Sequence, residues 1–258
     1  MRHSCSVSLP EIFKQSVEIY RKAFAPLLLL SAVAILSSEI FMVALQHTRL
    51  FAVVAMLNPI PHFAFIWMIL ISWKVLQGEG RSWKMLADIP AKFWRYITNI
   101  AASTIAAILA ALLSIIILFT AKRITGGFLA TNPLLSFVLL VSFMFGPLIY
   151  FIVRFFLVGI IACLEPSREW WTLHRSWRMI SPHGWQVTLA LAISCILYLP
   201  VVGLMYLGQG RALFQQTLQI DSPGFYIAGK LGAILVSPFW AAMSVAIYRA
   251  IRREEQTA

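Results

Sequence analysis

Six apolar runs, each long enough to cross a bilayer, dominate this sequence: Phe24 to Leu45, Phe51 to Trp73, Ile97 to Thr120, Leu134 to Cys163, Trp185 to Leu207 and Tyr226 to Tyr248. A helix rises about 1.5 Å per residue and a hydrocarbon core is about 30 Å thick, so about 20 apolar residues make one crossing. Composition agrees. Of the 258 residues, 60% are hydrophobic and 12% charged, whereas soluble domains carry roughly 45–50% and ~25%. The pattern excludes an ordinary soluble enzyme. It predicts an all-α fold, a single integral membrane domain over residues 1–258 built as a six-helix transmembrane bundle.

Two runs are irregular. Asn58-Pro59-Ile60-Pro61 sits inside the second, so that span is either kinked or an interfacial piece followed by a short crossing, because lipid offers a freed carbonyl no partner. The fourth holds about 30 residues, roughly 45 Å of helix and too long for one upright crossing. Its end, Phe155 to Cys163, is expected to tilt or to lie in the interface.

Orientation follows from the basic residues. Fifteen Lys and Arg fall on the side shared by both termini and the second and fourth loops, and four (Arg49, Lys122, Arg123, Arg211) fall on the other. The side rich in Lys and Arg is cytoplasmic, which predicts both termini in the cytoplasm of a bacterial inner membrane. The formal net charge of +11 is then explained by that asymmetry and by anionic headgroups, so no nucleic acid partner is implied. Arg2, Lys14, Glu11 and Glu18 in the first residues, with no small-residue cleavage site, predict an uncleaved N-terminus whose first span acts as the insertion signal.

Three cytoplasmic segments look alike. Leu9, Phe13, Val17, Tyr20 and Phe24, then Trp83, Leu86, Pro90, Phe93 and Ile97, then Trp170, Leu173, Trp177 and Ile180 recur at helical spacing among charged residues. They predict amphipathic helices over about residues 9–22, 82–95 and 168–181, lying in the inner interface with apolar side chains in lipid. Ala34-Ile35-Leu36, Ala107-Ile108-Leu109 and Cys195-Ile196-Leu197 follow each at comparable places, so the chain reads as three copies of one unit: interfacial helix, span out, span back. Trp73, Trp83, Trp94, Trp170, Trp171, Trp177 and Trp185 gather at the same interface, where an indole keeps its N–H wet and its ring in the acyl boundary.

Ionisable groups inside spans are expensive and are expected to face protein or water. Glu39 reads either as a proton or cation site for transport or as a structural carboxyl bonded among Ser37, Ser38 and a neighbouring helix. Arg154, late in the fourth run, could pair with Glu39, hold a lipid phosphate or snorkel. Lys230 is expected to snorkel, with Asp221 near enough to partner it. Small residues at four-residue spacing, Ala102/Ala106/Ala110, Ser103/Ala107/Ala111, Ala228/Gly232 and Gly229/Ala233, allow close helix approach inside the bundle or in a dimer.

No metal or catalytic signature stands out. His3, His47, His62, His174 and His183 lack zinc-ligand spacing, and Cys5, Cys163 and Cys195 are far apart. No GxSxG elbow or phosphate-cradling loop is present, so no cofactor and no catalytic residue are assigned.

Arg154-Phe155-Phe156, Leu164-Glu165-Pro166, Leu173-His174-Arg175-Ser176-Trp177-Arg178, His183-Gly184-Trp185, the ending Tyr248-Arg249-Ala250-Ile251-Arg252-Arg253 and the opening Ile19-Tyr20-Arg21-Lys22-Ala23-Phe24 together resemble the membrane domain of glycerophosphodiester phosphodiesterases and its stand-alone bacterial relatives of the YciC-like inner-membrane type. In fused members of that family the activity lies in a separate soluble barrel. A TIM-type barrel needs ~250 residues by itself, and the longest cytoplasmic loop here, Lys74 to Tyr96, has 23. The resemblance therefore implies a six-span bacterial inner-membrane protein whose relatives have no settled biochemical activity, and it does not license calling this protein a hydrolase.

The sequence thus predicts a non-catalytic membrane module that engages anionic phospholipids, with a membrane protein or a second copy as a further partner. Arg81, Lys84, Lys92, Arg95, Arg168, Arg175 and Arg178 are the headgroup candidates, and Trp83, Trp94, Trp170, Trp171 and Trp177 set depth. The competing readings are a transporter or channel using Glu39 and Arg154 near the Pro59/Pro61 break, and a membrane-embedded lipid enzyme, for which no acid, base or metal cluster is found.

Overall fold

Proline and glycine punctuate the helices. The computed structural model describes residues 8–45, 58–78, 89–124, 133–165, 169–214 and 223–257. Among the described residues there are nine α-helices and no strand: α1 Leu9–Lys22, α2 Phe24–Leu45, α3 Pro59–Gln77, α4 Ile89–Ile124, α5 Pro133–Arg154, α6 Val158–Leu164, α7 Glu169–Ile180, α8 Gly184–Phe214 and α9 Pro223–Thr257. Pro10, Pro59, Pro90, Pro133 and Pro223 occupy the first or second position of α1, α3, α4, α5 and α9, where a missing N–H costs no intrahelical bond. Six helical stretches are long and apolar enough to cross a membrane, so the protein is an all-α, polytopic integral membrane protein.

Several boundaries differ from the sequence expectation. The described part of the second span is a helix that starts at the Asn58-Pro59 break: the Asn58 carboxamide oxygen accepts the Ile60 N–H at 3.1 Å, Pro59 is the first helical residue, and α3 runs to Gln77 instead of Trp73. Gly78, at φ 74°, closes it in the left-handed conformation that glycine adopts without strain. Residues 51–57 lie outside the described residues. The second interfacial helix does not exist as a separate element over 89–95, because α4 continues from Ile89 to Ile124 with no Pro or Gly after Pro90 to break it; residues 82–88 lie outside the described residues. A break does precede α2 and α8. At Ala23, Pro26 has no N–H to offer the Lys22 carbonyl, and Ser181–His183 form a 3₁₀ turn before α8.

The chain divides into two compact units, Met1–Phe93 with Trp185–Ala258, and Trp94–Gly184. In the first, α9 is the central helix: Ala241 through Tyr248 are eight consecutive residues no more than 2% exposed. A helix buried on every face must be surrounded by others, and α1, α2 and α3 all pack on α9. α2 runs antiparallel to it, since Ser31 bonds Ser237 while Glu39, two turns on, bonds Lys230, earlier in α9. α8 approaches α9 at Gly232, where a Cβ would stand 2.9 Å from Val201 Cγ2. This small-residue stripe therefore serves packing within the unit. Phe63, in the second turn of α3, stacks on Phe93, in the second turn of α4, at 4.2 Å. The starts of these helices meet, where an up-and-down hairpin would bring the end of α3 to the start of α4.

α1 also departs from expectation. Ile12, Ser16, Ile19 and Ala23 are buried, and Phe13 and Tyr20, expected in lipid, pack on Phe239 with ring centroids 6.4 and 6.3 Å away. The Tyr20 hydroxyl donates to the Leu235 carbonyl at 2.9 Å, in the turn that Pro238 loosens. Val17 and Phe24 remain exposed.

In the second unit α5 ends at Arg154, a three-residue turn follows, and α6 doubles as the core. Leu157, Val158, Ile160, Ile161, Ala162 and Cys163 are at most 2% exposed, so most of Phe155 to Cys163, expected to tilt or to lie in the interface, is enclosed by protein. Protein covers it: a Cβ on Gly159 would meet Tyr96 Cε2 at 2.8 Å and Ile100 Cδ1 at 3.3 Å. Further along α4, Ile105, Ile108, Leu109, Leu112, Leu113, Ile116 and Ile117 are exposed. So wide an apolar face is tolerable only against lipid.

Candidate functional site

Arg154 is the most elaborately housed cation of the second unit. Its guanidinium lies 5.0 Å from the Tyr150 ring centroid and 5.1 Å from that of Trp177, within the range of a cation–π contact. Nη1 donates to Ser181 Oγ at 2.8 Å, and the Arg154 carbonyl accepts from Ser176 Oγ at 2.9 Å, which satisfies one of the open carbonyls at the end of α5. Trp177 is wedged among Tyr150, Phe151 and Phe155, with centroids 5.7 to 5.9 Å apart. The two rings stand 78° to one another, so the guanidinium is held in the corner between them, and the N–H donors other than the one on Ser181 are what it offers a ligand.

A second arginine pair sits beside the end of α6. Glu165 precedes Pro166, which favours an extended backbone there, and its φ of −108° and ψ of 139° end the helix. Arg95 Nη1 donates to its carbonyl at 3.1 Å, and Arg175 Nε lies 3.6 Å from its carboxylate, both side chains being 16% exposed. Arg95 and Arg175 thus hold α4 and α7 to α6 through Glu165, a structural employment that the headgroup assignment did not foresee. Arg178 is exposed and shares an outward face of α7 with Trp171 and His174, whose rings are 6.0 Å apart. The inward face is Thr172, Ser176, Met179 and Ile180. Trp177 and Ile180, placed in lipid by the sequence pattern, are therefore held by protein, and Trp171 is the outward indole. Trp94 is 69% exposed, and Lys92 is half-buried one turn into α4. Arg81, Lys84, Arg168, Trp83 and the side chain of Trp170 lie outside the described residues.

In the first unit Glu39 does not turn to Ser37 or Ser38, whose hydroxyls donate to the Ala34 carbonyl. Its carboxylate takes the Lys230 ammonium in an ion pair between α2 and α9, with the side chains 29% and 22% exposed. The expected snorkelling of Lys230 is replaced by this bridge, as an ammonium in an apolar helix is stabilised far more by a carboxylate than by lipid. Asp221, the expected partner of Lys230, lies outside the described residues.

Sequence reasoning missed Tyr150, Ser176 and Ser181. Tyr150 stands four residues before Arg154, the spacing of neighbours on one helix face, and was legible in principle. Ser181 and Trp177 come from a different element, and nothing local announces them. Among the described residues no three His, Cys, Asp or Glu side chains are grouped to hold a metal. No family model, no curated protein and no solved structure matches the chain.

Proposed function

We propose that this is a non-catalytic membrane module of a bacterial inner membrane that holds anionic phospholipid headgroups on its cytoplasmic face. The observation that carries the reading is the Arg154 cage, a guanidinium held in the corner of the Tyr150 and Trp177 rings, with Nη1 on Ser181 and its other donors left for a ligand. Arg matches phosphate bidentately, and a preorganised fork loses less entropy on binding. The outward face of α7, with Trp171, His174 and Arg178, suits the acyl boundary and the headgroup layer next to it. The excess of Lys and Arg on one side supports cytoplasmic termini.

Native mass spectrometry of the protein extracted gently from its own membrane tests this. Arg154→Gln and Arg178→Glu are expected to reduce retained anionic lipid, and unchanged retention in both variants removes the headgroup role. Arg175 is a poor probe, because reversing its charge would set two carboxylates side by side and disturb the fold.

Transport of a small solute or lipid is a second reading, favoured by the polar seam of Glu39–Lys230 and Ser31–Ser237 between α2 and α9. Uptake by proteoliposomes, lost on Glu39→Gln, would support it; uptake that survives the substitution excludes Glu39 from any pathway.

A further inference from the structure

The Arg154 arrangement has a counterpart in the other unit. Tyr248 stands four residues before Arg252 on α9, as Tyr150 does before Arg154 on α5. The Arg252 guanidinium lies 5.8 Å from the Tyr248 ring centroid and 6.0 Å from that of Trp73 on α3, and Trp73 meets Tyr248 edge-on at 5.6 Å. In both places one arginine, near the C-terminal end of an apolar helix, is caged by a tyrosine of its own helix and a tryptophan of another. In both, a single N–H is tied down: Arg154 Nη1 to Ser181 Oγ and Arg252 Nη1 to the Tyr248 hydroxyl at 3.1 Å. Tyr248 is fully buried, and this bond gives its hydroxyl a donor.

Packing alone does not ask for this. A buried tyrosine hydroxyl can be satisfied by a neutral acceptor or donor, and placing a guanidinium there brings in a charge that needs compensation. Arg253 lies 3.8 Å from Glu11 of α1, and along α9 Arg249 and Arg253 add positive charge beside Arg252 while Glu254 and Glu255 add negative charge. The remaining Arg252 donors lie in the guanidinium plane, and ring contacts at 5.8 and 6.0 Å do not use them as hydrogen bonds.

We infer that Arg252, caged by Trp73 and Tyr248, is a second phosphate site, so that each unit of the protein holds one phosphate group of an anionic headgroup. The inference rests on the reading of the Arg154 cage as a phosphate site, but the two can fail separately.

The experiment uses the full chain in phosphatidylcholine nanodiscs doped with phosphatidylglycerol, counting retained phosphatidylglycerol by native mass spectrometry. In parallel, inorganic phosphate is titrated into detergent-solubilised protein. Wild type is expected to retain two phosphatidylglycerol molecules, Arg252→Gln one, Arg154→Gln one and the double variant none, with roughly tenfold or greater weakening at the altered site. Arg252→Lys keeps the charge and a donor for Tyr248 but loses the planar fork, and is expected to weaken binding at that site while melting as wild type does. If Arg252→Gln loses phosphate binding but keeps both lipids, the site stands and its ligand is free phosphate. If Arg252→Gln and Arg252→Lys retain both lipids and bind phosphate as wild type does, the inference is overturned. Loss in Arg252→Gln without loss in Arg154→Gln would keep this site and remove the other.

Discussion

Replacing Glu39 with Gln removes the carboxylate that the Lys230 ammonium faces across the α2–α9 contact. A lysine at the centre of a membrane helix costs ~2.5–3.5 kcal/mol on insertion scales, and deleting one partner of a buried pair costs ~3–5 kcal/mol. The two side chains are not sealed, at 22% and 29% exposed, so the ammonium can draw part of its solvation from elsewhere by snorkelling. The expected loss is therefore about 2–3 kcal/mol. For a chain of this size that lowers the melting temperature by roughly 4–12 °C. Circular dichroism of matched detergent samples measures it. The companion variant Glu39→Met/Lys230→Met removes both charged groups and is expected to recover to within ~1 kcal/mol of wild type, because a charge pair replaced whole by apolar side chains leaves nothing unsatisfied. The reasoning fails if Glu39→Gln melts with wild type, or if the double variant is no more stable than the single one.

Four further outcomes follow from the geometry. Gly159→Val would drive a side chain into the Tyr96 ring, itself 6% exposed, and is expected to cost about 1–3 kcal/mol in the same melts. Gly232→Ala sets a methyl 2.9 Å from a Cγ of the stiff, buried Val201 and should destabilise by ~1 kcal/mol or more. Glu165→Gln loosens the Arg175 contact; protease nicking between α6 and α7 should become faster than in wild type, and an unchanged rate would deny the pair a role in docking α7. In a background lacking Cys5, an apolar maleimide should label the exposed Cys195 in detergent while Cys163, buried at 2%, reacts only after denaturation; a charged maleimide added to intact membranes should label neither, as thiolate chemistry needs water.

The legible part of the fold was its class and most of its helices. An apolar run of 20 residues has one favourable fate in lipid, a helix with every backbone group bonded inside itself, and the runs from Phe24, Leu134 and Trp185 begin within a residue of α2, α5 and α8. Asn58-Pro59 left two readings open because the same dipeptide can kink a helix or start one, and only the side-chain cap onto Ile60 shows that a helix starts there. The interfacial helices were misread for a related reason. α1 and α7 each carry two stripes, Ile12/Ser16/Ile19 beside Phe13/Val17/Tyr20, and Thr172/Ser176/Met179 beside Leu173/Trp177/Ile180. Periodicity marks a helix with a favoured side, yet the sides turned to protein in α1 and α7 take in Ser16 and Ser176, small residues that permit close approach, together with Phe13, Tyr20, Trp177 and Ile180 from the apolar stripes. Of the candidate site, Arg154 and Trp177 stood out in the sequence as separate features, while their contact did not.

What the sequence determined by itself was the solvent of the protein: six stretches too apolar for water, in helices because lipid leaves the backbone no other partner. The tertiary structure decided which charges meet. Glu39 lies 191 residues from Lys230 and Ser31 lies 206 from Ser237, separations over which no local pattern carries information. It also decided that α9 is the central helix of its unit and that two arginines are caged by aromatic rings. Helix formation is a local, short-range matter, whereas the pairing of a scarce polar group in an apolar medium is settled by whichever partner the packing of distant helices brings within reach.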